Sequence, residues 1–218
     1  MLKEIAKLRE ENLKLTARDL KKAYTKDILV IQTIHTIDII INTRTRLINN
    51  LRERYGYYAP LTAKISDHEK FLEEFKKLKQ EPIGMDLSKK DLQAMLDIYA
   101  IIQELEKLKE KQQKYLEELM KDLCPNLLKV TGCLIGARLI ALAGSLKHLA
   151  ELPSSTIQIL GAEKALFRHL TKGTKSPKHG VIFAHESIQK ATNKGKAARK
   201  LASAIAKAVK IDYFRNKI

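Results

Sequence analysis

The sequence predicts an all-α protein: a long antiparallel coiled-coil arm followed by a compact helical domain. Three observations predict it. The chain has only 9 glycines and 5 prolines among 218 residues, a scarcity that favours long helices over a turn-rich β fold. Apolar residues recur at three-four spacing over long stretches. From Ser88 to Leu123 there is neither Gly nor Pro.

Residues 1–55 read as one or two helices in series. Leu20, Tyr24, Ile28, Ile31, Ile34 or His35, Asp38, Ile41 and Thr45 fall close to the helical repeat. β-branched Ile and Thr crowd this stretch and would also suit a strand, but no turn signal breaks it. Tyr55-Gly56 and Pro60 end the run. Residues 56–87 form a connecting tip with a short helix over Asp67 to Leu78, closed by Pro82 and Gly84. Ser88 then has the chemistry of an N-cap, with Asp91 three residues on.

The next helix runs to Leu123, about 54 Å at 1.5 Å per residue. Its seam is Leu92, Leu96, Tyr99, Ile102, Leu105, Leu108, Tyr115, Leu119 and Leu123. A helix this long with a narrow apolar seam needs a partner. The helix over 20–55, folded back antiparallel, is the nearest one, giving an arm over 1–125. Cys124-Pro125 marks the boundary, since Pro cannot continue a helix of normal geometry. The domain over 126–218 is Ala-rich. Gly132, Gly136 and Gly144 are expected to share a face with Ile140 on a buried central helix, with Arg138 its one charge.

The formal net charge is +16, and it is unevenly placed. From Lys129 to Ile218 there are 17 Lys and Arg against four acids, Glu151, Glu163, Glu186 and Asp212. The first 128 residues are mixed and nearly balanced. A concentrated positive field attracts polyanions, nucleic acid above all. A thermophile or halotolerant surface would carry acids nearby, as the first part does.

The two cysteines, Cys124 and Cys133, are too few for a disulfide framework and suggest a reducing compartment. No signal peptide is visible. The apolar run from Ile28 to Ile41 is short and broken by Gln32, His35 and Asp38; Leu134 to Leu146 is short and contains Arg138. A soluble intracellular protein with no membrane partner is expected.

The stretch richest in chemistry is Thr156 to Gly180. Taken as helix to Lys172, it puts Lys164, Arg168 and Lys172 on one stripe, with Ile159, Ala162, Leu166 and Leu170 anchoring the core on another face. Gly173 ends the helix. Lys175, Lys178 and His179 follow in a loop stiffened by Pro177. Phosphates spaced along an RNA strand need such a cluster. Arg168 can grip a phosphate bidentately, and His169 and His179 can stack or donate. The last helix, over 193–209, turns Leu201, Ile205 and Ala208 inward and Lys196, Arg199, Lys200, Lys207 and Lys210 outward. That outer face is either a second RNA surface or a solvated one. The catalytic search is negative: no CxxC, HExxH, GxSxG or GxxxxGK[ST] occurs. Asp97, Glu104 and Glu106 read as surface pairs. No enzyme activity, metal or cofactor is expected.

Three ordered blocks carry a resemblance: GARLIALAGSLKHLAELPSSTIQILGAEKALFRHL, then PKHGVIF, then GKAARKLASAIAKAVKIDYF. Together they cover about residues 130–214 and resemble the NOP domain of archaeal box C/D small ribonucleoproteins, their nucleolar relatives and a spliceosomal relative. QTIHTID and NTRTRL resemble the first long helix of the family's coiled coil. The resemblance implies a non-enzymatic RNA-binding scaffold. It would recognise kink-turn RNA together with its small ribosomal-like bound protein, and self-associate, as a homodimer, through the coiled coil. Methyl transfer would belong to a separate fibrillarin subunit.

By position, Gly161, Glu163, Lys164, Arg168 and His169 fall in the RNA-facing motif, and Pro177, Lys178, His179 and Gly180 in the loop after it. The expected compartment is the cytoplasm of an archaeon or the nucleolus of a eukaryote. The sequence departs from the family in two places. Met1 stands almost directly at the arm, which suggests a truncated chain or a short paralogue without the fibrillarin-holding domain. Where the family's tip reads EWYG then FPEL, this chain has Glu53-Arg54-Tyr55-Gly56 then Tyr57-Tyr58-Ala59-Pro60. Fibrillarin recruitment stays open. A competing expectation is a coiled-coil adaptor whose positive charge serves acidic protein partners.

Overall fold

The computed structural model describes residues 2–23 and 25–215, and no strand occurs among them. The helices, in order, are α1 (Leu2–Ala23), α2 (Lys26–Tyr55), α3 (Pro60–Ala63), α4 (His68–Phe75) and α5 (Lys89–Leu123). There follow α6 (Pro125–Thr131), α7 (Cys133–Ala143), α8 (Leu146–Glu151), α9 (Ser154–Ile159) and α10 (Glu163–Lys172). A 3-10 turn (Val181–Ala184), α11 (Glu186–Gln189) and α12 (Lys194–Arg215) complete the chain. The all-α class is as the sequence predicts. Two compact units form, one of Met1–Ile34 with Leu116–Ile218, the other of His35–Tyr115.

Within the β-branched run of α2, two threonine hydroxyls find partners one turn back. Thr33 Oγ1 donates to the Leu29 carbonyl at 2.7 Å and Thr45 Oγ1 to the Ile41 carbonyl at 2.9 Å. The buried apolar positions of α2 are Val30, Ile34, Ile37, Ile40, Ile48, Leu51 and Tyr55. The expected stripe through Ile28, Ile31 and Ile41 is therefore out of phase, since these three are only half-buried. So many isoleucines in a row leave several seams equally apolar. Tyr24 lies outside the described residues.

In the unit over 35–115, one core joins Ile48, Leu51 and Tyr55 to Phe71, Leu72 and Phe75 of α4 and to Met95 and Ile102 of α5. Tyr55 sits 4.8 Å from Phe75 in an edge contact, and its hydroxyl donates to the Lys79 carbonyl at 3.3 Å. Burial pushes the Tyr55 hydroxyl up to about 12, with Tyr58 adding to the effect. Asp67 caps α4, accepting from Glu69 N at 2.9 Å and Lys70 N at 3.0 Å. Ser88 caps α5 reciprocally with Asp91. Of the expected α5 seam, Leu108 and Tyr115 are exposed instead. Glu106 is no simple surface acid: it is largely covered, pairing with Arg44 at 3.0 Å and with Lys109.

In the other unit, α12 packs against α6, α8 and α9. Its inner face buries Ala198, Leu201, Ala202, Ile205, Ala208 and Val209, including the three residues read as inward. Pro125 starts α6, whose cap residue Cys124 offers no side-chain bond. The deficit is met from the far end of the chain. Buried Asp212 accepts from Asn126 N at 3.1 Å and Leu127 N at 2.8 Å. It thereby satisfies donors that a helix start leaves orphaned. Asp27 does the same for α8, accepting from Leu146 N at 3.0 Å.

Two of the three glycines read as one packing face are in fact helix ends. Gly132 (φ 74) and Gly144 (φ 83) cap α7, and only Gly136 lies within it. There a Cβ would fall 2.8 Å from Met120 Cε and from Thr131 Oγ1. Among the described residues no single helix is long and apolar enough to cross a membrane.

Asp212→Ala should destabilise the protein by about 3 kcal/mol, because two covered N–H groups lose their acceptor. Asp212→Asn should retain part of that. Urea unfolding measures both; an alanine variant as stable as wild type would show the cap to be dispensable.

Candidate functional site

The expected single helix over 156–172 is two helices. α9 ends at Ile159 and α10 begins at Glu163, with Gly161 between them in the left-handed region (φ 86). Only glycine takes that conformation without strain. The break is held by Glu163, whose carboxylate accepts from Gly161 N at 2.6 Å. Glu163 thus acts as a local brace.

The break changes which residues face the core. α10 buries no residue fully. Leu170, expected to anchor the core, is 73% exposed, and Phe167 beside it is 67% exposed. Lys164, Arg168 and Lys172, four apart, share a face of α10, and all three are exposed. Phe167 lies to one side of that stripe and Leu170 nearly opposite it, so α10 also exposes apolar groups away from its cations.

Gly173 (φ 64) ends α10, and the loop that follows is tied down at both ends. At its start, His169 Nδ1 contacts the Thr174 carbonyl. At its end, Gln158 Nε2 donates to the Lys178 carbonyl at 2.7 Å and Gly180 N donates to the Gln158 carbonyl at 2.8 Å. Val181 N bonds the Leu160 carbonyl at 2.8 Å. Gly180 lies so close to the α9 end that a Cβ there would overlap the Leu160 carbonyl and come within 2.7 Å of Ile159 backbone atoms. The loop therefore depends on this glycine.

Lys175 and Lys178 are exposed, and Pro177 is half-buried. The His179 ring stacks on Phe183 at 4.1 Å and 15°. Lys194 Nζ lies 5.2 Å from the centre of the same Phe183 ring, within cation–π range. The loop faces the start of α12 across an open cleft of about 620 Å³, lined by Gln158, Ser176, Pro177, Lys178, Lys196 and Arg199 among others. The α10 cations do not line it. The fold thus groups the predicted residues in two places: the α10 stripe, and the loop with α12.

The four acids of the C-terminal 90 residues are all engaged elsewhere. Glu163 braces Gly161, and Asp212 caps α6. Glu186 pairs with Lys190, and Glu151 lies within reach of Lys147 and His148. Among the described residues no acid pairs with Lys164, Arg168, Lys172, Lys175 or Lys178.

Sequence reasoning missed Gln158, Asn193 and Lys194 at the cleft and the exposure of Phe167 and Leu170. Asn193 carried a signal: it precedes a helix and its side chain accepts from Lys196 N at 3.0 Å, as an N-cap does.

The thiols are poorly suited to chemistry. Burial pushes Cys124 up to about 12, with Asp212 adding to it, and Cys133 up to about 11, with Glu117 adding to it. Among the described residues no three His, Cys, Asp or Glu side chains gather as a metal site.

Gly180→Ala should cost about 1–3 kcal/mol through overpacking and should expose the loop to trypsin at Lys175 and Lys178. Melting and limited proteolysis test this; unchanged cleavage would mean the close approach does not hold the loop. Both thiols should react slowly with a disulfide reagent at pH 8, Cys124 the slower. The raised thiols and Tyr55 also make stability depend on alkali. Their neutral forms are favoured in the fold, so this contribution is complete below about pH 9 and lost as pH rises towards about 12. Rapid labelling of Cys124 would contradict its burial.

Comparison with known proteins follows the same lines. The family described as Nop, snoRNA binding domain, fibrillarin, matches residues 18–218. An uncharacterized NOP5 family protein of Methanocaldococcus jannaschii is 36% identical over 229 residues, covering 91% of this chain and 55% of the relative. Nucleolar protein 58 of Saccharomyces cerevisiae is 34% identical over 215 residues, covering 85% of this chain and 42% of the relative. Nucleolar protein 56 of Dictyostelium discoideum is 39% identical over 151 residues, covering 69% and 28%. The chain spans about half the length of the first two relatives and less of the third. A crystal structure of a fibrillarin/Nop5p complex matches with TM-score 0.56 at 26% identity, covering 97% of this chain and 71% of that one. With the family matched over residues 18–218, nearly the whole of this chain, the chain belongs to the Nop family.

Proposed function

We propose that this chain is a non-catalytic RNA-binding scaffold of a box C/D-type ribonucleoprotein. Its ligand is a kink-turn RNA already carrying a small ribosomal-like protein. The observation that carries this reading is the set of exposed cations on α10 and its loop, Lys164, Arg168, Lys172, Lys175 and Lys178. They stand in a region whose acids are all engaged elsewhere. Unneutralised cations at one-turn spacing suit a phosphate backbone, and His179 adds a ring for stacking. His169 has one ring nitrogen engaged in the loop tether and contributes mainly shape. Family membership supports the reading, and so do the relatives' names.

The exposed Phe167 and Leu170 favour a composite ligand. Phe167 can stack on an unpaired base, but Leu170, on the far face of α10, offers RNA nothing and suits a protein bound to that RNA. The arm, taken as residues 1–125 with its tip near 56–87, is read as an antiparallel coiled coil that self-associates or positions partners. The Arg44–Glu106 pair and the core shared by Ile48, Leu51, Tyr55, Met95 and Ile102 support that pairing. Methyl transfer is assigned to a separate fibrillarin-type subunit, which the fibrillarin complex among the structural neighbours supports. The compartment is then the nucleolus, or the cytoplasm of an archaeon.

A gel shift with kink-turn RNA, with and without its small protein, tests this. Tight binding is expected only with both present. Lys164→Ala with Arg168→Ala should weaken it about tenfold or more while the helical circular-dichroism signal stays unchanged. Protein-only complexes that survive nuclease treatment at full strength, with no RNA shift, would identify a protein–protein adaptor instead.

A further inference from the structure

The cleft between the 176–179 loop and α12 carries positive charge that the fold does not balance. Lys178, Lys196 and Arg199 line it, and no acid does. Among the described residues no acid pairs with any of the three. Lys194 and Lys196 also stand in the first turn of α12, which holds no acid. Cations at a helix N-terminus oppose its dipole, where a negative group is stabilising. Cations gathered around one concavity also repel each other. A single compact, doubly negative group placed there would relieve both.

The loop carries an attachment point for such a group. Ser176 is the one hydroxyl among the described residues lining the cleft. It is exposed, it lies in the helix-free stretch between Gly173 and Gly180, and Pro177 follows it. A following proline biases a residue towards extended backbone, the form in which a protein kinase takes its acceptor segment. Serine directly before proline is the acceptor pattern of proline-directed kinases. The stretch is tied down on both sides of Ser176, at Thr174 by His169 and at Lys178 by Gln158. A group carried on Ser176 Oγ is therefore kept at the cleft.

We propose that Ser176 is a phosphorylation site whose phosphate is held within the chain by Lys178, Lys196 and Arg199. A proline-directed kinase would supply the group from a nucleoside triphosphate. The bond from Ser176 Oγ to the γ-phosphorus forms, the bond from that phosphorus to the β-phosphate oxygen breaks, the hydroxyl proton is lost to solvent and the nucleoside diphosphate leaves. Phosphoserine carries close to two negative charges near neutral pH, and arginine and lysine bind it through charge-assisted hydrogen bonds. One phosphate then engages cations of the loop and of α12 together and pins the loop to that helix. Capture of the phosphate follows from the cleft alone. Its consequence rests on the RNA-binding reading above: with Lys178 neutralised and a negative group beside it, the basic loop loses its attraction for RNA.

The test treats the folded full chain with a proline-directed kinase and ATP. Mass spectrometry should find one phosphate on Ser176, absent from Ser176→Ala. The phosphorylated chain should melt about 2 °C or more above the unmodified one. That gain should vanish in Lys196→Ala with Arg199→Ala, whose side chains are exposed and whose helical circular-dichroism signal should stay unchanged. Binding to kink-turn RNA with its small protein should weaken about tenfold or more on phosphorylation. A folded chain left unmodified at Ser176, while a peptide of the loop is modified, would overturn the site. A melting gain that is absent, or that survives in the α12 double variant, would overturn capture by these cations. Unchanged RNA affinity after complete phosphorylation would overturn the switch and leave the scaffold reading standing. If the unmodified chain binds no RNA with the small protein present, the scaffold reading fails and the regulatory consequence with it, and the melting comparison still decides capture.

Discussion

The approach of Gly180 to the end of α9 is the constraint on which the basic loop depends. Two backbones meet where no side chain fits, and three hydrogen bonds among Gln158, Leu160, Lys178, Gly180 and Val181 hold them there. A loop rich in lysine would otherwise have no reason to stay near other cations. Mutual repulsion and chain entropy both favour its release. The fold counters this with neutral backbone bonds, which leave every ammonium group free. Gly161 and Glu163 do similar work on the other side of the break, setting where α10 starts and so where its stripe points.

A second feature is how the few acids are used. In the C-terminal 90 residues none is seen paired with the α10 and loop cations among the described residues. Two serve backbone donors, at Gly161 and at the start of α6, and two pair with side chains on their own helices. The unit over 35–115 behaves differently: Arg44 lies between Glu69 at 2.7 Å and Glu106 at 3.0 Å, and Glu106 also holds Lys109. Charge there is matched internally and serves packing. Charge on α10 and its loop is left unmatched. An unmatched field costs folding stability, which makes sense for a surface that completes itself with a polyanion.

Much of this was legible in the residues. The helical class, the Ser88–Asp91 cap, the helix break before Pro125, the inward face of α12 and the Gly173 stop follow from short-range rules that the fold leaves intact. What could not be read depends on contacts distant in sequence or on patterns with several solutions. The isoleucines of α2 offered several seams, and burial chose one that the spacing did not. A helix through Leu160-Gly161-Ala162 was a fair local reading, since one glycine is tolerated within a helix. The break sits at the left-handed Gly161, where Val181 and Leu142 close in, neighbours that the local sequence does not reveal. Leu170 looked like a core residue because it is a leucine on the face opposite the lysines. Gly132 and Gly144 looked like a packing face because spacing cannot distinguish a cap from a contact. The meeting of Lys178 with Lys196 and Arg199 joins residues about twenty apart through tertiary structure alone.

The central claim is that the free cations of α10 and its loop bind by displacing counterions from RNA phosphates. The most direct measurement is the affinity of the full chain for kink-turn RNA with its small protein, taken across a range of salt concentrations. With about five phosphates neutralised, log K against log salt should fall with a slope near −4. A slope near zero would mean that these cations do not touch the RNA backbone, and the account would be wrong.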